Sequence, residues 1–147
     1  MRVSSKTDYA LRTVLDLALH HGEGVIKAAE IAQRQQIPLK FLEQILLALR
    51  GGGIVESRRG ARGGYLLAKE AGSICLTDVV KLTEDALLSV SSSRRGAARR
   101  STAVDPFEGV WKRIDHSIVS VLSGLTFADV CKEIRERSRR AAHNYTI

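Results

Sequence analysis

Lys40, Glu43 and Gln44 stand within five residues of one another, and Arg58, Arg59 and Arg62 crowd into the stretch SRRGARGG a little further on. These are side chains that bind and read rather than make bonds. A glutamate accepts from cytosine N4, a glutamine pairs with adenine, and a lysine reaches guanine or phosphate. Arginines on a flexible tip can enter a narrow minor groove or hold a phosphate through two parallel hydrogen bonds. Lys6, near the start of the chain, is a further cation that can touch a phosphate. No Ser/His/acid or Cys/His arrangement is marked out, and no acids gather in a pocket motif, so the pattern argues against an enzyme. The run GARGG also lacks the strand–loop–helix setting and the GK[ST] ending of a nucleotide-binding loop. The chemistry left is a grip on double-stranded DNA.

Such a grip needs elements to hold it. Residues 27–36 predict a short helix with a small-residue face (Ala28, Ala29, Ile31, Ala32). Pro38 is expected at the first position of the next helix, where its missing N–H has no partner to lose. Leu39, Leu42, Ile45, Leu46 and Leu49 are that helix's expected buried stripe, leaving Lys40, Glu43, Gln44 and Arg50 outside; Gly51, Gly52 and Gly53 end it. Residues 54–57 and 64–68 predict two strands with the arginines at the tip between them. Upstream, residues 4–21 predict an amphipathic helix capped by Ser4 or Ser5 and carrying Asp8 in its first turn. Together these read as a winged helix-turn-helix, a mainly α fold with a small β-hairpin, whose second helix can enter a major groove.

Composition agrees. The 147 residues carry a formal charge of +7, and residues 1–70 hold 11 basic against 7 acidic side chains, so the excess is concentrated in the expected DNA-binding part. No apolar run approaches the roughly 20 residues of a membrane span, and the start MRVSSKTDYALR lacks the apolar core of a secretory signal. A soluble, cytoplasmic protein is expected. Cys75 and Cys131 sit far apart in apolar contexts and read as buried, inert thiols, and the four histidines form no zinc-ligand cluster.

The second half predicts oligomerisation. After a helix over 77–88 with Thr77 as its cap, residues 89–104 (SVSSSRRGAARRSTAV) have no large apolar group besides valine and read as a flexible loop; its Arg94, Arg95, Arg99 and Arg100 suit DNA backbone or an anionic effector. Asp105 is the expected cap of a long helix with Pro106 in its first turn. Phe107, Trp111, Ile114, Ile118, Val121 and Leu125 then recur at alternating spacings of four and three, the seam of a coiled coil, which predicts a dimerisation helix. A last helix over 126–140, capped by Thr126, presents Phe127, Val130, Cys131 and Ile134 and is expected to fold back on the N-terminal part, its own or a partner's. The expected organisation is a DNA-binding domain over 1–88, the loop over 89–104, and a dimerisation and tail region over 105–147.

Three stretches, MRVSSKTDYALR, FLEQILLALR and SRRGARGGYLLAK, closely resemble the Rrf-two family of winged-helix bacterial regulators, typified by IscR, NsrR and CymR. The resemblance is strong over residues 1–85 and weaker at LTFADV. It implies a homodimer on an inverted-repeat operator, acting as a repressor, with the positions matching Glu43 and Arg59 contacting DNA. Relatives carry serine on either side of the leucine where this chain has Pro38 and Lys40, so their operator does not carry over. Cluster-binding members hold an iron–sulfur centre with three cysteines in the loop matching 89–104; here that loop has none, and Asp8, which matches a cluster-ligand aspartate of some relatives, reads as a helix-start charge. The likeness is therefore to the cluster-free CymR branch, with cysteine metabolism as the implied setting and sensing by a redox or metal cluster as the alternative. The polar end AAHNYTI reads either as a frayed tail or, since that branch also ends in a tail finishing with isoleucine, as a segment whose Tyr145 and Ile147 dock O-acetylserine sulfhydrylase, with a terminal carboxylate captured by backbone N–H groups. A protein-interaction subunit working mainly through this tail is the other reading.

Overall fold

The computed structural model describes residues 3–83 and 104–146. Helix α1 (Ser5–Leu19) begins where Ser4 Oγ accepts the Thr7 N–H at 3.2 Å, the expected serine cap. Helices α2 (Ala28–Gln35) and α3 (Leu39–Gly51) follow, joined by a turn at Gln36, whose φ of 52° is left-handed. The Gln36 and Ile37 N–H groups both close on the Ala32 carbonyl, and Ile37 is buried beneath the turn. Strands β1 (Val55–Arg58) and β2 (Gly64–Leu67) pair antiparallel, Val55 opposite Leu67 and Arg58 opposite Gly64. Helix α4 (Leu76–Thr83), α5 (Glu108–Ser123) and α6 (Phe127–Asn144) complete the described chain.

One core holds these elements together. Ala10, Val14 and Leu17 of α1 meet Ile31 of α2, Leu42, Ile45, Leu46 and Leu49 of α3, Val55 and Leu67 of the hairpin, and Val79 of α4. The last helix closes it. Phe127 and Cys131 of α6, 1% and 4% exposed, join the same cluster, so the returning helix packs on its own N-terminal part. A capping box starts that helix: Thr126 Oγ1 accepts the Asp129 N–H, and Asp129 Oδ2 accepts the Thr126 N–H. Reciprocal backbone bonds, Leu76 N–H to Leu125 O and Phe127 N–H to Ile74 O, tie the approaches to α4 and α6 together.

Several expectations shift. Pro38 is the cap residue of α3, with ψ 128°, rather than its first helical residue; its carbonyl accepts the Leu42 N–H. Leu39, assigned to the buried stripe, is 44% exposed, because the stripe is centred on Leu42, Ile45, Leu46 and Leu49 and Leu39 lies at its edge on the first turn. Thr77 is inside α4, not its cap: it is buried, with Oγ1 3.0 Å from Ser123 Oγ, while Asp78 Oδ2 accepts the Cys75 N–H at the helix start. Asp105 Oδ1 accepts the Phe107 N–H from just outside α5, whose cap residue is Phe107. Cys75 is half-buried. Helix α6 runs four residues past the expected end at 140. Residues 84–88 of the expected fourth helix, most of the serine- and arginine-rich loop with its four arginines, and Ile147 lie outside the described residues.

Candidate nucleic-acid interface

Helix α2 is clamped to α1 through a buried charge. Asp16, on α1 and 1% exposed, accepts from Arg34 Nε at 3.0 Å and Arg34 Nη2 at 2.8 Å, and from Gln35 Nε2 at 3.0 Å. The planar guanidinium spans both carboxylate oxygens, which fixes the angle of α2 against α1 as a single bond would not. Burial alone would push the Asp16 carboxyl up. The hydrogen bonds from Arg34 and Gln35, with the charges of Arg34 and His20, outweigh it together and hold the pKa below its ordinary value. No feature of the local sequence announces this clamp, since its partners are 18 and 19 residues apart.

Helix α3 turns its apolar stripe to the core and its polar residues outward. Lys40, Glu43 and Gln44 are all exposed, as expected. Arg50, at the end of the same helix, is exposed and shares a shallow groove with Glu56, Ser57 and Arg58 on β1. That groove adds Arg50 to the candidate set, because it links the end of α3 to the wing. Arg58 belongs to the end of β1; Arg59 and Arg62 occupy the tip, where Gly60 takes a φ of 112°. All three arginines are exposed. Lys6 is exposed in the first turn of α1, on a different element from the α3 set. Among the described residues, none of these side chains forms a hydrogen bond or ion pair within the chain.

The wing has an anchor that its own strands do not supply. Ile26 and Tyr65 exchange both backbone bonds at 2.8 Å, so residue 26 acts as a one-residue third strand beside β2. Gly64 permits the approach: a Cβ there would sit 2.5 Å from the Ile26 carbonyl oxygen.

Of the expected dimerisation residues, Trp111, Ile114, Ile118 and Val121 lie on α5, which has no buried residue, while Phe107 caps it and Leu125 follows its end. Phe107 is 59% and Val121 60% exposed; Ile114 and Leu125 are also exposed, while Trp111 and Ile118 are half-buried. Val110, not among the expected seam residues, is exposed beside them. The Phe107 and Trp111 rings stand 6.4 Å apart. At the far end Tyr145 caps α6 and is 91% exposed.

A bracing helix, a groove-sized helix and a two-stranded wing define a winged helix-turn-helix, the architecture of DNA-binding regulators. The chain belongs to the Rrf2 family of transcriptional regulators: residues 3–133 match the family described as "Rrf2: Iron-dependent Transcriptional regulator". It is 35% identical to the HTH-type transcriptional regulator IscR of Xenorhabdus nematophila over 90% of this chain and 80% of that protein. Among solved structures it resembles T. potens IscR, with a TM-score of 0.78 and 34% identity over 93% of this chain and 90% of that one. It resembles CymR, the global cysteine regulator of B. subtilis, with a TM-score of 0.77 and 31% identity over 90% of this chain and 98% of that one. Regulators of this family bind DNA; they are not enzymes. No described helix is long and apolar enough to cross a membrane.

The family description names iron, and among the described residues the donors do not gather as a cluster site within one protomer. The sequence has two cysteines. Cys131 is packed in the core, where burial pushes its thiol pKa up and disfavours the thiolate that iron would need. Cys75 lies in the strand-like segment before α4. Among the described residues no three His, Cys, Asp or Glu side chains gather as a metal site. Asp8 is paired with Arg12 at 3.0 Å in the first turn of α1.

Proposed function

We propose that the protein is a homodimeric repressor that binds an inverted-repeat operator without an iron–sulfur cluster. Residues 1–88 form its DNA-binding unit and residues 105–147 its dimerising one. The observation that carries this reading is the outward face of α3: Lys40, Glu43 and Gln44 are exposed and have no hydrogen-bond or ion-pair partner among the described residues, and an arginine-tipped wing follows. Lys40 also stands in the first turn of α3, where no acid offsets the helix dipole. A cation there is favourable only if a phosphate approaches that end. Glu43 and Gln44 then meet base edges, while Arg59 and Arg62 reach the adjacent groove or the backbone.

A second copy is the partner that suits α5. Its apolar residues recur along one face, and among the described residues Phe107, Val110, Ile114, Val121 and Leu125 stay exposed. Two-fold closure would present two copies of α3 to half-sites about one helical turn apart, which is the origin of the inverted repeat. The likeness to a cysteine regulator makes sulfur metabolism the setting we infer, with a small molecule or partner protein as the signal. Docking of O-acetylserine sulfhydrylase through Tyr145 and Ile147 belongs to the same inference, and the exposure of Tyr145 is the observation that favours it.

The test uses operator DNA selected from genomic fragments by the full-length protein. Affinity should fall linearly on a logarithmic salt scale, by about 0.9 log units per log unit of salt for each phosphate contacted. Arg59→Ala should weaken binding by about 1–3 kcal/mol. Equal affinity of the variant and the parent across the salt series would remove Arg59 from the interface, and a flat salt response would remove DNA binding itself.

A further inference from the structure

Leu47 is 69% exposed, more than Leu39 or Phe41 on the same helix. It does not sit at the margin of the apolar stripe, where a half-covered leucine is ordinary. At about 100° per residue, Leu47 points roughly 150° away from the mean direction of Leu42, Ile45, Leu46 and Leu49. Lys40 and Gln44 share that direction, one or two turns nearer the helix start. Leu39 and Phe41, by contrast, lie towards the two flanks. The chain thus places a leucine at the middle of the face that carries the proposed base-reading residues, where its own core cannot reach it.

We infer that Leu47 is a specificity-determining residue that packs against the C5 methyl group of a thymine in the major groove. This inference rests on the reading of α3 as the groove helix. The occupant follows from the neighbours. An apolar protein surface laid over Leu47 would also strip water from Lys40 and Gln44 and offer them no partners, which is costly. The major-groove edge alternates hydrogen-bonding atoms with the thymine methyl, so it can satisfy Gln44 and cover Leu47 together. Residues 44 and 47 are about 4.5 Å apart along the helix axis, against a base step of about 3.4 Å. The thymine therefore lies one or two base pairs from the position that Gln44 faces.

Deoxyuridine removes that methyl and nothing else. In operator duplexes selected by the full-length protein, each thymine is replaced in turn by deoxyuridine, and binding of the parent and of Leu47→Ala is measured. One thymine in each half-site should be sensitive for the parent, with a loss of about four-fold for one methyl. Leu47→Ala should bind the thymine operator more weakly and be indifferent to the same replacement. Its thermal melting should match the parent's, since the side chain is outside the core. The inference is overturned if the parent tolerates deoxyuridine everywhere, or if Leu47→Ala keeps the parent's sensitivity. A shift of Leu47→Ala towards monomer would also overturn it, by assigning the leucine to a contact between copies. If instead no duplex binds in a salt-dependent way, the reading of α3 as a groove helix fails, and this inference with it.

Discussion

A single carboxylate sets the angle at which α1 and α2 meet. Asp16 is almost fully buried, and its charge is tolerated because Arg34 spans both oxygens and Gln35 adds a third donor. Removing one partner of such a pair costs more than the pair contributes, since the other charge is left buried. Arg34→Ala should therefore destabilise the protein. Because the arginine side chain is 37% exposed, so that water can replace part of it, the expected loss is about 2 kcal/mol rather than the full value for a buried pair. The pH dependence has a definite sign. A carboxyl held below its ordinary pKa binds its proton less readily folded than unfolded. Its stabilisation is present above about pH 4 and is lost as pH falls through the lowered value. Urea melts at pH 7 and pH 3 should show the Arg34→Ala deficit shrinking on the acid side; an equal deficit at both would mean that the carboxylate is not what the arginine serves. The sequence shows Asp16 only as a polar residue in an apolar stretch of α1. Its partner comes from the next helix, and nothing local specifies the pairing.

At the scale of elements, the wing is the informative case. Its two strands and arginine-bearing turn were legible from two short apolar runs and the glycine-rich break between them. Its anchor was not: Ile26 contributes one residue of strand-like pairing, too short to leave a periodic trace. Gly64 is the price of that contact. Gly64→Ala would force its Cβ against the backbone of residue 26, which cannot swing aside as a flexible side chain would. A loss of about 1–3 kcal/mol in stability is expected. The operator affinity of the folded variant should fall as well, because the strand that carries the tip moves. Thermal melting and binding measured on the same sample decide this; unchanged affinity in the folded variant would show that the wing's position does not matter for binding. Helix α3 makes the complementary point. Its period was read correctly, but extending the stripe to Leu39 overran the core, because a periodic pattern does not report where neighbouring elements stop.

For the whole molecule the open face is α5. A single copy leaves Val110, Ile114 and Val121 exposed on a helix with no buried residue, with Phe107 and Leu125 exposed just beyond its two ends. In the proposed dimer, burying that face against a second copy removes apolar area from water at about 25 cal/mol per Å². A charge within it should oppose this without touching the monomer's core. Val121→Glu, at a position 60% exposed in the single chain, should shift sedimentation towards the monomer while leaving the far-UV spectrum unchanged. It should also reduce operator affinity at low protein concentration. A dimer that survives the substitution would place the interface elsewhere.

The sequence by itself determined the local elements and their chemistry. Serine and threonine caps, apolar periods, a proline before a helix and glycines around an arginine turn are all short-range signals, and each marks structure within a few residues of itself. The family was legible for the same reason, since its motifs lie on single helices and one hairpin. Only the tertiary structure decided the long-range pairings: Asp16 with Arg34, Ile26 with Tyr65, and Phe127 and Cys131 within the N-terminal core. It also decided which apolar residues stay uncovered, and so singled out Leu47. Burial depends on what else arrives at a surface, and that is settled by the packing of distant segments rather than by the period of any one of them.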